Sequence, residues 1–207
     1  RFNMVFFAGG NYLLSETSLI ATTANINTAL DAIDNQSGGG GTELLSALNR
    51  ALSLPGTGDF SRTFIIATDG YVSVERKSYD LIRRNLGEAN FFAFGIGSSC
   101  NRYIIEGIAH VGMGEPFVVL NEEGAEASAA KFRKYIEYPV LTNIGVDIVD
   151  FGIYDVEPPS VPDVFAERPV ILFGKYDGAL TGTINISGTS GNQSHTDNMD
   201  VSKYQAD

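Results

Sequence analysis

Tryptophan is absent from the 207 residues, and cysteine occurs only at Cys100. The single cysteine excludes two kinds of site. One cysteine can form neither an internal disulfide nor a multi-cysteine zinc site. No stretch approaches the roughly 20 consecutive apolar residues that a spanning helix needs, so we expect no membrane span in this chain. Basic residues are also scarce, because 14 Lys and Arg stand against 25 Asp and Glu, and the net charge is −11. Since affinity for nucleic acid depends on clustered Lys and Arg, we expect no nucleic-acid partner.

Short apolar runs alternate with segments of helical spacing over the first two thirds of the chain. The runs have apolar residues on both faces, as do parallel strands that helices cover on each side. These runs are Phe2–Ala8, Thr63–Thr68, Phe91–Ile96 and Phe117–Leu120. Apolar residues three or four apart predict helices over Ile26–Ile33, Leu44–Leu52, Tyr79–Leu86, Ile104–Val111 and Ala125–Ile136. The alternation predicts a doubly wound α/β fold, with a mostly parallel sheet and helices on both faces.

The pattern changes after residue 138. Val170–Tyr176 and Leu180–Ser187 read as strands, and Asp177-Gly178 between them is a hairpin turn signal. We therefore predict an α/β domain over 1–138, a β-rich extension over 139–188, and a polar tail or the start of a further segment over 189–207. An extension of about fifty residues does not readily bury a core of its own. We expect it to pack on the α/β body or to join strands from other parts of the protein.

Two loops carry residues suited to a metal ion. Thr42 follows a run of four glycines and precedes a predicted helix, and Asp69 closes the strand Thr63–Thr68. Ligands of open α/β sheets bind at the carboxyl ends of the strands, and a hydroxyl with a carboxylate suits Mg²⁺. Taken singly, each residue also has a purely structural explanation. Thr42 could cap the helix, and Asp69 could form a turn before Gly70.

The order of the motifs resembles that of von Willebrand factor type A domains. The segment around Thr42 and Leu44 looks like the family's second metal loop and the helix after it. Ser61–Gly70 looks like the fourth strand with its metal loop, and Phe92–Gly97 looks like the fifth strand. Three more segments resemble bacterial members that also carry a vault/inter-α-trypsin-inhibitor-like domain; they are Asn101–Ile105, Tyr138–Thr142 and Phe173–Tyr176.

The resemblance implies a metal-ion-dependent adhesion site with three loops. Thr42 matches the threonine of the second loop, expected to bind Mg²⁺ directly, and Asp69 matches the aspartate of the third, expected to act through water. Mn²⁺ or Ca²⁺ could take the same place. The first loop, Asp-x-Ser-x-Ser, has no match here, because Phe2–Ala8 resembles the family's second strand. We therefore expect the central first strand, its loop and the first helix upstream, so the site in this chain is incomplete.

The function implied by the resemblance is a non-catalytic adhesion module that recognises a partner protein's carboxylate through the metal. The subgroup further implies an extracytoplasmic location, whether periplasmic, cell-surface or secreted. Without the central strand, the sheet would expose the edges of the two strands that flank it, which favours self-association or strand swapping. The first alternative is a structural or assembly module whose metal site is vestigial.

An α/β hydrolase or nucleotide-binding enzyme is a further alternative. Cys100 and His110 are the candidate nucleophile and base, although a lone cysteine beside a strand end is more often a packing residue. Gly41 stands where a P-loop has lysine, and Cys100 stands where a dinucleotide fingerprint has its third glycine. Three Asn-x-Ser sequons begin at Asn35, Asn185 and Asn192, but so short a motif is common by chance.

Overall fold

The structure is a computed structural model, and the chain divides into two compact units. The described residues are 1–36, 41, 43–56, 61–69, 75–87, 89–137, 139–166 and 169–204. The first unit comprises Arg1–Phe60 with Gly70–Ser78, and the second comprises Ser61–Asp69 with Tyr79–Asp207. The division predicted at residues 138 and 139 stays a prediction.

A short hairpin opens the first unit. Strand β1 (Val5–Phe7) pairs antiparallel with β2 (Asn11–Leu13). The expectation of a long buried strand over Phe2–Ala8 was wrong. The glycines that follow let the chain reverse, and Ala8 donates its amide to the Gly10 carbonyl at 2.8 Å. The apolar run therefore ends in a tight turn instead of extending across a sheet.

Two helices follow the hairpin in the first unit. Helix α1 (Thr23–Asp34) is capped by Thr22, whose hydroxyl accepts from the Asn25 amide at 3.3 Å. Helix α2 (Leu44–Leu52) packs on β1 and buries Leu44, Ala47 and Leu48. The existence of both predicted helices was therefore confirmed. The apolar stripe of α1 was not, because its buried residue is Ala29, while the predicted stripe is exposed: Ile26, Leu30 and Ile33.

A three-stranded parallel sheet is the centre of the second unit. Its strands are β3 (Thr63–Thr68), β4 (Asn90–Ile96) and β5 (Pro116–Val119), in the order β3-β4-β5. Helix α3 (Glu75–Arg84) precedes β4, α4 (Arg102–Val111) precedes β5, and α5 (Glu122–Ile136) follows β5. The predicted α/β fold class is confirmed.

Alternate residues of β4 bring a helix to each face of the sheet. On one face, Gly95 leaves room for α4, since a Cβ there would lie 3.0 Å from Ile105. On the other face, Phe92 meets Phe132 of α5 edge to face, with ring centroids 4.9 Å apart. Helix α5 buries Phe132 and half-buries Ile136, whereas Ala125 and Ala129 of its predicted stripe are exposed.

The chain after α5 forms antiparallel sheets. Strands β6 (Pro139–Val149), β8 (Val164–Phe165), β10 (Thr183–Ser190) and β11 (Gln193–Asp200) form one sheet in the order β11-β10-β6-β8. Strands β7 (Gly152–Glu157) and β9 (Phe173–Asp177) form a separate pair, and a 3-10 helix covers Val201–Tyr204. Residues 193–200, expected within a polar tail or further segment, are thus the strand β11.

The hairpin predicted around Asp177-Gly178 was wrong. Gly178 does take a turn conformation with φ +83°, but Gly182 adds a second turn with φ +126° before β10 begins. Strand β9 then pairs with β7, while β10 pairs with β6 and β11. The sequence therefore predicts the turn at Gly178 correctly. The pairing partner of each strand depends on packing between segments far apart in the chain.

The extension packs on the α/β body within the second unit. Phe165 of β8 enters the aromatic core of Phe92, Phe117 and Phe132. Close by, the Asn90 side chain donates to the Asp163 carboxylate at 2.8 Å and accepts from the Asp163 amide at 3.1 Å. Asn90 starts β4, so this attachment lies at the amino ends of the parallel strands.

Candidate metal-binding edge of the parallel sheet

The strands β3 and β4 end side by side. Thr68, the last residue of β3, pairs with Gly95, and Ile96, the last residue of β4, pairs with Val119. The chain turns directly after β4 at Gly97, which has φ +80° and donates its amide to the Val119 carbonyl at 2.8 Å. Because parallel strands share one direction, the residues following β3 and β4 lie at one edge of the sheet, called here the carboxyl edge.

Asp69 lies at this carboxyl edge. It occupies a bend immediately after β3, and it is exposed although the preceding Thr68 is buried. Within the described residues, no hydrogen bond or ion pair involves the Asp69 carboxylate. A charged acceptor at the end of a strand, with no partner among the residues that the structure describes, is available for binding.

Two exposed hydroxyls follow the end of the neighbouring strand β4. They belong to Ser98 and Ser99, directly after Gly97. A Gly-Ser-Ser run after a buried strand signals a polar turn at the carboxyl edge, although the predicted ligands did not include these serines. A carboxylate with hydroxyls suits a hard cation that takes oxygen ligands.

The described residues hold only part of a metal site. They contain no group of three or more His, Cys, Asp or Glu placed to hold an ion. Mg²⁺ is commonly bound through one or two carboxylates and retains several waters, so the exposed Asp69 fits one ligand position of such a site. The donor set is compatible with Mg²⁺, and the remaining positions need further oxygens.

Thr42, the other predicted ligand, lies outside the described residues. Its neighbour Glu43 is the N-cap residue of α2, and its side chain makes no capping bond. The Glu43 amide donates to the Ala8 carbonyl at 3.0 Å, which fixes the start of α2 against the β1–β2 turn.

Cys100 and His110 are not brought together. Cys100 is buried and precedes α4, and a Cβ on Gly95 would lie 2.9 Å from its Sγ. His110 is exposed in the last turn of the same helix. At 1.5 Å per residue, the helix separates the two by roughly 12 Å along its axis. A thiol packed under β4 and an imidazole at the far end of α4 do not form a nucleophile–base pair.

Comparisons with known proteins agree on one family. Residues 15–116 match the sequence model of the von Willebrand factor type A domain. A von Willebrand factor A domain-containing protein of Dictyostelium discoideum is 26% identical over 178 residues, which are 86% of this chain and 19% of that protein. The von Willebrand factor A domain-containing protein 5B1 of Mus musculus is 28% identical over 176 residues, covering 84% of this chain and 14% of that protein. The chain therefore spans less than a fifth of these relatives.

The fold is also similar to that of a solved structure. A von Willebrand factor type A protein from Catenulispora acidiphila superposes with a TM-score of 0.59 at 16% identity, over 97% of this chain and 56% of that one. The superposition includes the β-rich extension, so both parts of the chain have a counterpart in that fold. In the described part of the chain, no helix has both the length and the apolar character needed to cross a membrane.

Proposed function

We propose that this chain, which carries a von Willebrand factor type A domain, is a non-catalytic adhesion module that recognises a partner protein through a bound metal ion. Domains of this family are generally interaction modules without catalysis, and the relatives support a protein-interaction role here. In the complete protein, Thr42 and Asp69 would hold the ion together with further oxygen ligands, and a carboxylate of the partner would complete its coordination.

The observation that carries the proposal is the position of Asp69. An exposed carboxylate directly follows strand β3 at the carboxyl edge, where open α/β sheets bind their ligands. We assign Asp69 a role through a bound water and Thr42 a direct one, as the resemblance implies. These residues would hold Mg²⁺, with Mn²⁺ or Ca²⁺ as substitutes, and a bound cation would supply Lewis acidity toward the partner's carboxylate. The missing ligands would come from an Asp-x-Ser-x-Ser loop on another segment.

Calorimetric titration of Mg²⁺ and Mn²⁺ into the chain tests this assignment. Wild-type protein should bind one ion saturably, with water in place of the ligands that the chain lacks, and Asp69→Asn should weaken binding by about tenfold or more, as expected when a group that orients a ligand is neutralised. Asp197→Asn is the matched control, since Asp197 is an exposed carboxylate on β11.

Two outcomes would contradict the assignment. Equal affinities for wild type and Asp69→Asn would remove Asp69 from the site. Equal losses in Asp69→Asn and Asp197→Asn would show diffuse attraction to a protein of net charge −11 instead of a site.

The location and subgroup remain part of the proposal. An extracytoplasmic position suits an adhesion module, and domains of this family are commonly extracellular. Membership of the bacterial subgroup with a vault/inter-α-trypsin-inhibitor-like domain rests on the motifs around Asn101, Pro139 and Phe173.

An assembly role is the second candidate, and the edge of β3 favours it. Within the described ranges, β3 pairs with β4 alone, and Ile65 of β3 is 55% exposed. The unpaired edge of a strand that also exposes an apolar side chain is a template for another strand. Self-association or strand exchange at this edge would complete the sheet.

A further inference from the structure

The structure places the asparagines of the three Asn-x-Ser sequons in different environments. An acceptor asparagine must present its amide nitrogen to an enzyme, and the attached sugar must then fit beside the folded chain. Sequence alone gives the sequons starting at Asn35, Asn185 and Asn192 equal standing. Their exposure, hydrogen bonds and strand positions separate them.

Asn192 is at the tip of the β10–β11 hairpin. The strands close at the pair Ser190↔Gln193, so Gly191 and Asn192 form a two-residue turn. Gly191 has φ +60°, which suits the first central position of a type II′ turn. Asn192, Gln193 and Ser194 are all exposed, and within the described residues no hydrogen bond involves the Asn192 side chain. The whole sequon is therefore accessible.

The other two asparagines are constrained. Asn35 is the C-cap residue of α1, and its side-chain amide donates to the Asp31 carbonyl at 2.7 Å. Asn185 lies in the middle of β10, between Asp147 of β6 and Asn198 of β11, and is half-buried. A glycan on Asn185 would meet strands on both sides, and one on Asn35 would break a capping bond.

We propose that Asn192 is the acceptor of an N-linked glycan, donated by a lipid-pyrophosphate-linked oligosaccharide. The Asn192 amide nitrogen forms a bond to the anomeric carbon of the sugar and gives up one proton to solvent. The bond between that carbon and the pyrophosphate oxygen breaks, and the lipid pyrophosphate leaves with the electron pair. No oxidation or reduction is involved.

A glycan at this turn would shield an open edge. In the described part of the chain, β11 pairs only with β10, so its outer backbone groups are free for another strand. Asn192 immediately precedes β11, so the sugar would emerge beside that edge. In the native organism, the glycan requires the proposed extracytoplasmic location. It does not depend on the proposed metal site.

The test directs the chain into a secretory pathway and measures whether Asn192 becomes glycosylated. The 207-residue chain is expressed behind a cleavable secretory leader in eukaryotic cells, and the intact mass is measured before and after treatment with a glycosidase that converts the linked asparagine to aspartate. We expect one glycan, with the conversion mapped to Asn192.

Matched variants keep the test decisive. Asn192→Gln and Ser194→Ala should each abolish the mass shift, and Ser194→Ala does so with the asparagine still in place. Asn185→Gln should leave the shift unchanged. An unmodified wild-type chain, or a shift that persists in Asn192→Gln, would overturn the proposal. Neither result would bear on the metal titration, so the two proposals fail separately.

Discussion

At the scale of single residues, Asn90 shows how a polar side chain can hold two segments together. It is fully buried, and its amide nitrogen lies 2.8 Å from the Asp163 carboxylate and 3.1 Å from the Ser61 hydroxyl. Ser61 in turn donates to Asp163. Sequence predicts that this strand begins at Phe91, because hydropathy does not show whether an asparagine beside an apolar run is itself buried and hydrogen-bonded.

Replacing Asn90 should destabilise the second unit. Asn90→Ala removes the hydrogen bonds to the Asp163 amide and carboxylate, and a hydrogen bond to a charged group contributes about 1.5–3 kcal/mol. We expect the free energy of unfolding, measured by urea denaturation, to fall by that amount. Asn198→Ala, at an exposed position of β11, is the control. Similar small changes in both variants would show that the Asn90 bonds contribute little.

At the scale of elements, residue patterns predicted which segments fold but not always which segments meet. Thr63–Thr68 forms the predicted strand, but only one face of it is buried, because Ile66 and Thr68 are buried while Ile65 and Ala67 are exposed. The α1 stripe is exposed, since helical spacing identifies a helix without showing which side is packed. The partners of β9 and β10 were misjudged because strand pairing depends on segments far apart in sequence.

Two phenylalanines of the extension should respond very differently to truncation. Phe165 is 3% exposed in the aromatic core, whereas Phe173 of β9 is 68% exposed. Truncating a buried phenylalanine costs about 3–5 kcal/mol, and truncating an exposed one about 0.5 kcal/mol or less. Thermal unfolding of Phe165→Ala should therefore begin well below that of wild type and Phe173→Ala. Equal shifts would contradict the attachment of the extension through Phe165.

At the scale of the whole molecule, charge and exposed apolar surface act in opposite directions. A net charge of −11 makes copies of the chain repel one another, while the unpaired edge of β3 invites association. Salt screens repulsion over about 10 Å at 0.1 M. The oligomeric state should therefore depend on ionic strength.

We expect association to increase with salt and to depend on Ile65. Sedimentation velocity should show the average mass of wild type rising with sodium chloride, while Ile65→Lys stays monomeric. Ile171→Lys is the matched control, because Ile171 is 54% exposed and Ile65 is 55% exposed. Association that is lost equally in both variants would assign the effect to added charge and not to the β3 edge.

The candidate site was predictable in part. A carboxylate directly after an apolar run predicts the position of Asp69 from sequence, and the structure has it at the carboxyl edge, while its role as a ligand stays a prediction. Ser98 and Ser99 could not be proposed from sequence, because a serine in a turn has no pattern that separates a ligand from a solvated hydroxyl. Thr42 lies outside the described residues, so its role stays a prediction.

The extension is attached at the amino ends of the parallel strands, whereas Asp69 lies at their carboxyl edge. A pull applied between a partner held at Asp69 and the extension held at Asp163 would therefore run along β3 and β4. The ladder between these two strands would then be strained in shear, with many backbone bonds resisting together, and would not open one bond at a time. We expect a chain of this geometry to withstand traction along the sheet better than traction across it.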